Sequence, residues 1–248
     1  MWYYMHSQLE EPLFLRHHIT MFGNMGDQLE LQYLENKSGD IQVSMIQIDE
    51  LPQLRFQLYE KSWYTHQVLK KAVANWSPEE LDLEENTNLT IHEITVYYNN
   101  GQSERFSIGD INVLWYPNNH NVLEFASGGA SSDGTGFIAV KAAEDITIEG
   151  IHYTYPDKMP AFEMKLANTP LDQVTYPFLT AERHGLNLNY RWRYSEDNPY
   201  RYDVFRSKIV LNLRLENEQA VTEYLHITQN LYFSESDIRK LVRSGGAY

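Results

Sequence analysis

The chain has 248 residues, enough for one large core or two ordinary ones, since domains commonly run to about 100–150 residues. Its 42% apolar and 13% aromatic content is too rich for a disordered chain, and its formal charge of -14 repels polyphosphate, which sets aside nonspecific binding of DNA or RNA. Without cysteine it has no disulfide, thiolate nucleophile, iron–sulfur cluster or cysteine-ligated zinc site.

Eighteen tyrosines point to β-structure, because aromatic and β-branched residues fit a pleated, half-buried surface. No run of about 20 apolar residues is present. At the start, Trp2, Tyr3 and Tyr4 precede a polar, acidic segment, as interfacial aromatics do where a transmembrane helix leaves the bilayer. Two expectations stand side by side: a membrane anchor preceding Trp2, or an ordinary first strand.

Strand signals fill the first half: "PLFLRHHITMF", "QLELQYLE", "IQVSMIQI" and "LRFQLYE" each run a strand's length between turn residues. "ENKSGD", with Gly39, predicts a hairpin turn and a meander after it. Residues 63–76 carry Val68, Leu69, Ala72, Val73 and Trp76 at helical spacing inside β-rich flanks, so helix and strand both remain open there. Ser77-Pro78-Glu79-Glu80 has the form of a capping box with proline at the first helical position. Further on, Asn99-Asn100-Gly101 predicts a hairpin, Gly109-Asp110 a second turn, and Pro117 with the polar residues after it the close of a first domain over 1–125.

The stretch "ASGGASSDGTGF" lacks the GxxxxGK[ST] of a phosphate loop and the GxGxxG of a dinucleotide loop, and its single carboxylate, Asp133, is too few for calcium. Small polar residues lose much entropy on ordering, so residues 126–136 read as a slack linker or loop. A second domain, 137–248, follows. In "KIVLNLRLE" the residues Ile209, Leu211, Leu213 and Leu215 share one face, as in a sandwich strand. The domain ends in a short helix with Ser234 as N-cap, Asp237 three residues on, and Gly245-Gly246 beyond. The expected fold is all-β: two β-sandwich-like (Ig-like) domains with a short C-terminal helix.

For chemistry the sequence is sparse. His17 and His18 are adjacent and point to opposite faces of a strand, and the other histidines have no metal-site spacing, so neither metal nor cofactor is expected. The acids of "SPEELDLEEN" read as solvated charge, and GxSxG is missing. One candidate binding surface stands out. Tyr190, Trp192 and Tyr194 alternate with Arg191 and Arg193, with Arg201 close behind, and such a strip either stacks on sugars or forms an ordinary half-buried strand.

Three pieces, "ITVYYNNGQSERFSIGDI", the Ser/Gly loop running into "EDITIEGI", and "YFSESDIRKLVR", resemble uncharacterised membrane-anchored or secreted β-rich proteins of Gram-positive bacteria. The resemblance implies a non-enzymatic extracellular binding or structural ectodomain whose partner is a protein or cell-wall carbohydrate. Two alternatives are a carbohydrate-binding or carbohydrate-acting module using Tyr190, Trp192, Tyr194 and Arg193, and a cytoplasmic or phage assembly subunit.

Overall fold

An extended backbone sends successive side chains to opposite faces, so each amphipathic segment has one set of residues to bury. In "QLELQYLE" that set is Leu29, Leu31 and Tyr33, all fully buried; in "KIVLNLRLE" it is Ile209, Leu211, Leu213 and Leu215. Two separate cores result. The computed structural model describes residues 8–81, 83–84, 87–116, 122–160, 162–193, 195–196, 198–229 and 231–245. The aromatic start at Trp2–Tyr4, the closing segment 117–121, Tyr194 and Gly246 lie outside them. The chain divides into unit 1, Met1–Pro117 with Tyr202–Val204 and Tyr232–Tyr248, and unit 2, Asn118–Arg201 with Phe205–Leu231.

Unit 1 holds β1 (Leu13–Phe14), β2 (His17–Phe22), β3 (Asp27–Asn36), β4 (Val43–Gln47), β5 (Gln57–Trp63), β6 (Gln67–Trp76), α1 (Pro78–Leu81), β7 (Asn88–Tyr98), β8 (Ser103–Leu114) and α2 (Glu235–Ser244). One sheet has the order β1-β3-β6-β5, and the other runs β2-β8-β7-β4. All pairs are antiparallel except β2 with β8. With β1 as A, β3 as B and so on, these are the ABED and CFG sheets of an immunoglobulin-like sandwich. Leu31, Tyr33, Ala72 and Ala74 from the first sheet meet Ile19, Ile91, Val96 and Ile111 from the second in one core.

Two local expectations change here, and one open choice closes. "ENKSGD" is not a hairpin turn and no meander follows, because β3 pairs with β6 while β4 pairs with β7. Residues 67–76 are a strand, with Ala72, Ala74 and Trp76 facing the core at a spacing of two. Gly109-Asp110 makes no turn: β8 runs through it, and its pairing with β7 slips register between Ile91 and Glu93. A bulge of this kind needs a left-handed backbone, which Gly109 supplies at φ +92.

Unit 2 contains β9 (Leu123–Ala130), β10 (Thr135–Ala142), β11 (Ile146–Tyr153), β12 (Phe162–Leu166), β13 (Thr169–Pro170), β14 (Phe178–Thr180), β15 (Gly185–Trp192), β16 (Val204–Leu215) and β17 (Ala220–Thr228). β9-β10-β15-β12 is again ABED, and β11-β16-β17 is CFG; β13 extends the first sheet and β14 the second. Ile138, Val140 and Leu188 pack with Ile148, Leu211 and Leu213.

Residues 126–136 are therefore not a linker. They end β9, turn, and begin β10, with Ser131 N–H donating to Thr135 O at 2.7 Å and Gly134 at φ +84. The Asp133 carboxylate accepts from the Thr135 N–H at 3.0 Å and its hydroxyl at 2.6 Å, which holds its pKa below the ordinary range. Ladder bonds to β10 need only backbone, so small residues serve as well as large ones. The terminal helix α2 belongs to unit 1 rather than to the C-terminal domain: the Glu235 carboxylate accepts from the Thr65 N–H at 2.6 Å and its hydroxyl at 2.9 Å. Ser234 and Asp237 form the capping box that starts it.

The two left-handed glycines of β7–β8 give a graded test. A methyl group at Gly109 would lie 2.3 Å from the His17 carbonyl oxygen, whereas one at Gly101 meets nothing within 4 Å. Gly109→Ala should cost at least about 2 kcal/mol in urea unfolding and Gly101→Ala only about 1 kcal/mol. Equal losses would contradict the close approach of β8 to His17.

Candidate functional site

Two places in the fold gather polar chemistry, one in each unit. In unit 1, β2 and β8 run parallel with His17 opposite Gly109 and His18 opposite Asp110. The His18 Nε2 lies 2.8 Å from Asp203 Oδ2 and its Nδ1 3.5 Å from Asp110 Oδ2. Arg16 reaches the other Asp203 oxygen at 3.0 Å, and His92 Nδ1 sits 3.0 Å from Asp110 Oδ1. Asp203 is fully buried, so its charge is tolerated only because these donors surround it. These contacts link Arg16, Asp203, His18, Asp110 and His92 in a row.

His17 points to the other face and is also fully buried. Its Nε2 accepts the Gln32 N–H at 2.8 Å, which leaves the proton on Nδ1. Burial, and next the neighbouring His18, lower its pKa from 6.5 to about 3, against the opposing pull of backbone groups at Leu15 and Ile108. Among the described residues no three His, Asp or Glu side chains gather as a metal site.

Unit 2 carries a groove of about 640 Å³ along β12. Its apolar lining comes from Tyr153, Phe162, Met164 and Leu171, and its polar lining from Glu163, Lys165, Asp172 and Gln173. Phe162 and Met164 face the core, while Glu163 and Lys165 point outward. Tyr153 meets Phe162 edge-on with centroids 4.9 Å apart, and burial raises the pKa of its hydroxyl. Just before β12, Tyr155 adopts φ 60, a left-handed conformation uncommon for an aromatic residue, and opens the short 3₁₀ turn Pro156–Lys158.

The ladder on either side of β12 fixes what its edge offers. Antiparallel strands alternate between residues that bond to one neighbour and residues that bond to the other. Ala167 N–H donates to Asn187 O at 2.6 Å, so with the register 166↔188, 165↔189, 164↔190 and 163↔191, Lys165 and Glu163 bond to β15. Phe162, Met164 and Leu166 then turn their backbone groups the other way. Leu166 meets Thr169 of β13, and Phe162 N–H donates to Met159 O at 3.0 Å. Met164 would meet Leu171, but pairing stops at Pro170, where Leu171–Gln173 turns into a 3₁₀ helix. The Met164 backbone groups point away from β15, toward Leu171–Gln173, and its N–H has no strand partner in β13.

The residues singled out in the sequence fall elsewhere. Tyr190 and Trp192 are only 5% and 6% exposed, packed against Phe162 with centroids 5.8 and 4.7 Å away, so neither offers a ring face for stacking. Their face of β15 is the interior one. Arg193 is exposed and ion-paired with Glu163 at 2.7 Å, which brings it to the groove's rim. Arg201, half-buried, donates its N–H to Asn198 O at 3.1 Å in a turn. The point at which β13 stops leaves no signal in the sequence, because Pro170 and the turn after it are unremarkable in composition.

No protein-family model matches the chain, and no curated protein does. Among solved structures it is similar to the Pseudomonas aeruginosa CupB2 chaperone, at 9% identity and TM-score 0.24 over 85% of this chain and 97% of that one. It is also similar to the D00-D0 domain of intimin, at 10% identity and TM-score 0.22 over 88% and 100%, and to an α-L-rhamnosidase from Dictyoglumus thermophilum, at 10% identity and TM-score 0.25 over 89% and 29%. None of these likenesses bears on what the chain binds.

The buried imidazole has a measurable consequence. Because the folded state holds the His17 pKa at about 3, below the ordinary 6.5, its contribution is whole above about pH 6.5 and is lost as pH falls toward 3. The slope is at most about 1.4 kcal/mol per pH unit. His17→Gln keeps an acceptor for the Gln32 N–H and should flatten this limb in urea unfolding followed from pH 7 to pH 4. An acid limb as steep in the variant as in the wild type would contradict it.

Proposed function

We propose that the chain is a non-enzymatic binding ectodomain, displayed outside the cell, whose ligand seat is the groove along β12. The groove itself carries this reading. At about 640 Å³ it falls within the usual range of ligand sites, about 300–1,000 Å³, and it combines an apolar floor with a few polar groups, as such sites do. Display outside the cell draws its support from the sequence resemblance to anchored or secreted β-rich proteins. A sugar platform built on Tyr190 and Trp192 loses its basis, because both rings are core.

Blocking the groove tests this reading. Leu171 and Asp172 both line it, and Asp172 is exposed, so Asp172→Arg alters the seat with little reason to disturb the core. Peptide and glycan arrays probed with the intact chain should yield ligands whose binding weakens about tenfold or more in Asp172→Arg or Leu171→Arg, a loss of about 1.4 kcal/mol. Thermal midpoints identify any variant that fails to fold. Ligands bound equally well by folded forms of both variants would overturn the groove as the seat.

A further inference from the structure

We propose that two copies of this chain pair edge to edge through β9, the last strand of the first sheet of unit 2. β9 bonds to β10 on one side, and the sheet ends there. Its other side is open. Residues 124–129 are exposed without a break, and at Gly128 and Gly129 that exposure belongs to the backbone itself, since glycine has no side chain to show. Among the described residues, 123–129 make no backbone hydrogen bond beyond those to β10. Edge strands are commonly blunted by charge or proline, but β9 holds no proline and one charge, Glu124, while Phe125 beside it is 69% exposed.

The outward groups can be counted from both ends of the strand. Ser131 N–H donates to Thr135 O and Ala143 N–H to Val122 O, so Gly129, Ser127 and Glu124 bond to β10, and Leu123, Phe125 and Gly128 face outward. The change of parity comes from an extra residue, Ala126, at the register shift beside Ala139. Pairing about a two-fold axis between Ala126 and Ser127 sets Phe125 of each copy opposite Gly128 of the other, outward groups against outward groups. Each exposed ring then lies across from a bare glycine. Charge permits the match as well, because Glu124 falls opposite Gly129 of the other copy and about 17 Å from that copy's Glu124, beyond a Debye length of about 8 Å. A second copy supplies this fit by symmetry. The pair joins two five-stranded sheets and leaves the β12 grooves at opposite ends.

A contact one strand long falls short of the about 800 Å² per partner of a standard interface, so the pair is weak and concentration decides it. Sedimentation equilibrium of the intact chain from about 1 μM to about 1 mM should show a monomer passing to a dimer. Phe125→Lys and Gly128→Pro should each raise the Kd about tenfold or more, with thermal midpoints identifying a variant that fails to fold. Proline at Gly128 removes an N–H that faces solvent in the free chain, a position where edge strands tolerate it. In the dimer, amide exchange should slow at Phe125 and Gly128 and stay unchanged at Ser127 and Gly129, which β10 already holds. A chain monomeric throughout that range overturns the proposal, as does a dimer that both variants leave intact or in which the Phe125 and Gly128 amides stay fast. Protection of those two amides by a selected strand peptide, with the chain itself monomeric, would give the edge to a foreign partner and overturn the proposal too.

Discussion

The two-residue period of the extended backbone governs both what is buried and what is left open in this protein. Side chains alternate between the two faces, and backbone hydrogen-bonding groups alternate between the two neighbours. The first alternation assembles the cores, where Leu29, Leu31 and Tyr33 in one unit and Leu211, Leu213 and Leu215 in the other supply unbroken inner faces. The second obliges each strand to find two partners or to leave every other residue's polar groups to solvent. The Met164 N–H of β12 has no strand partner in β13, and β9, at the end of its sheet, has no strand on its outer side.

The same period explains why much of the fold is legible in the sequence. Where inner and outer sets differ sharply in polarity, as in β3 and β16, strand and buried face can both be read from spacing alone. Sheet membership cannot. β3 and β4 look like neighbours because a glycine-bearing turn joins them, yet they sit in different sheets, since the pairing is decided by partners distant in the chain. β6 shows a subtler failure: Val68, Leu69, Ala72 and Val73 are buried on both faces, and a doubly buried strand imitates helical spacing.

Glycine-rich segments were the hardest to read, because a backbone that pairs through its main chain alone leaves no side-chain pattern. In β9, Phe125 lies over Gly128, and Phe137 of β10 over Gly129, so rings from neighbouring positions cover bare backbone. A composition that suggests slack therefore describes an ordered hairpin. At Gly109 the constraint is different: β8 comes so near His17 that no side chain fits, and a bulge results where the sequence suggests a turn. The candidate site was illegible for a related reason. Tyr190 and Trp192 drew notice by their side chains and proved to be core, whereas the groove lies along β12 beside the point at which β13 stops, and that point has no side-chain pattern.

Amide hydrogen exchange, resolved residue by residue along β12, tests the central claim most directly. Alternation predicts slow exchange at Glu163 and Lys165, whose N–H groups bond to β15, and fast exchange at Met164 between them, whose N–H has no strand partner in β13. Uniform protection of all three amides would contradict the account.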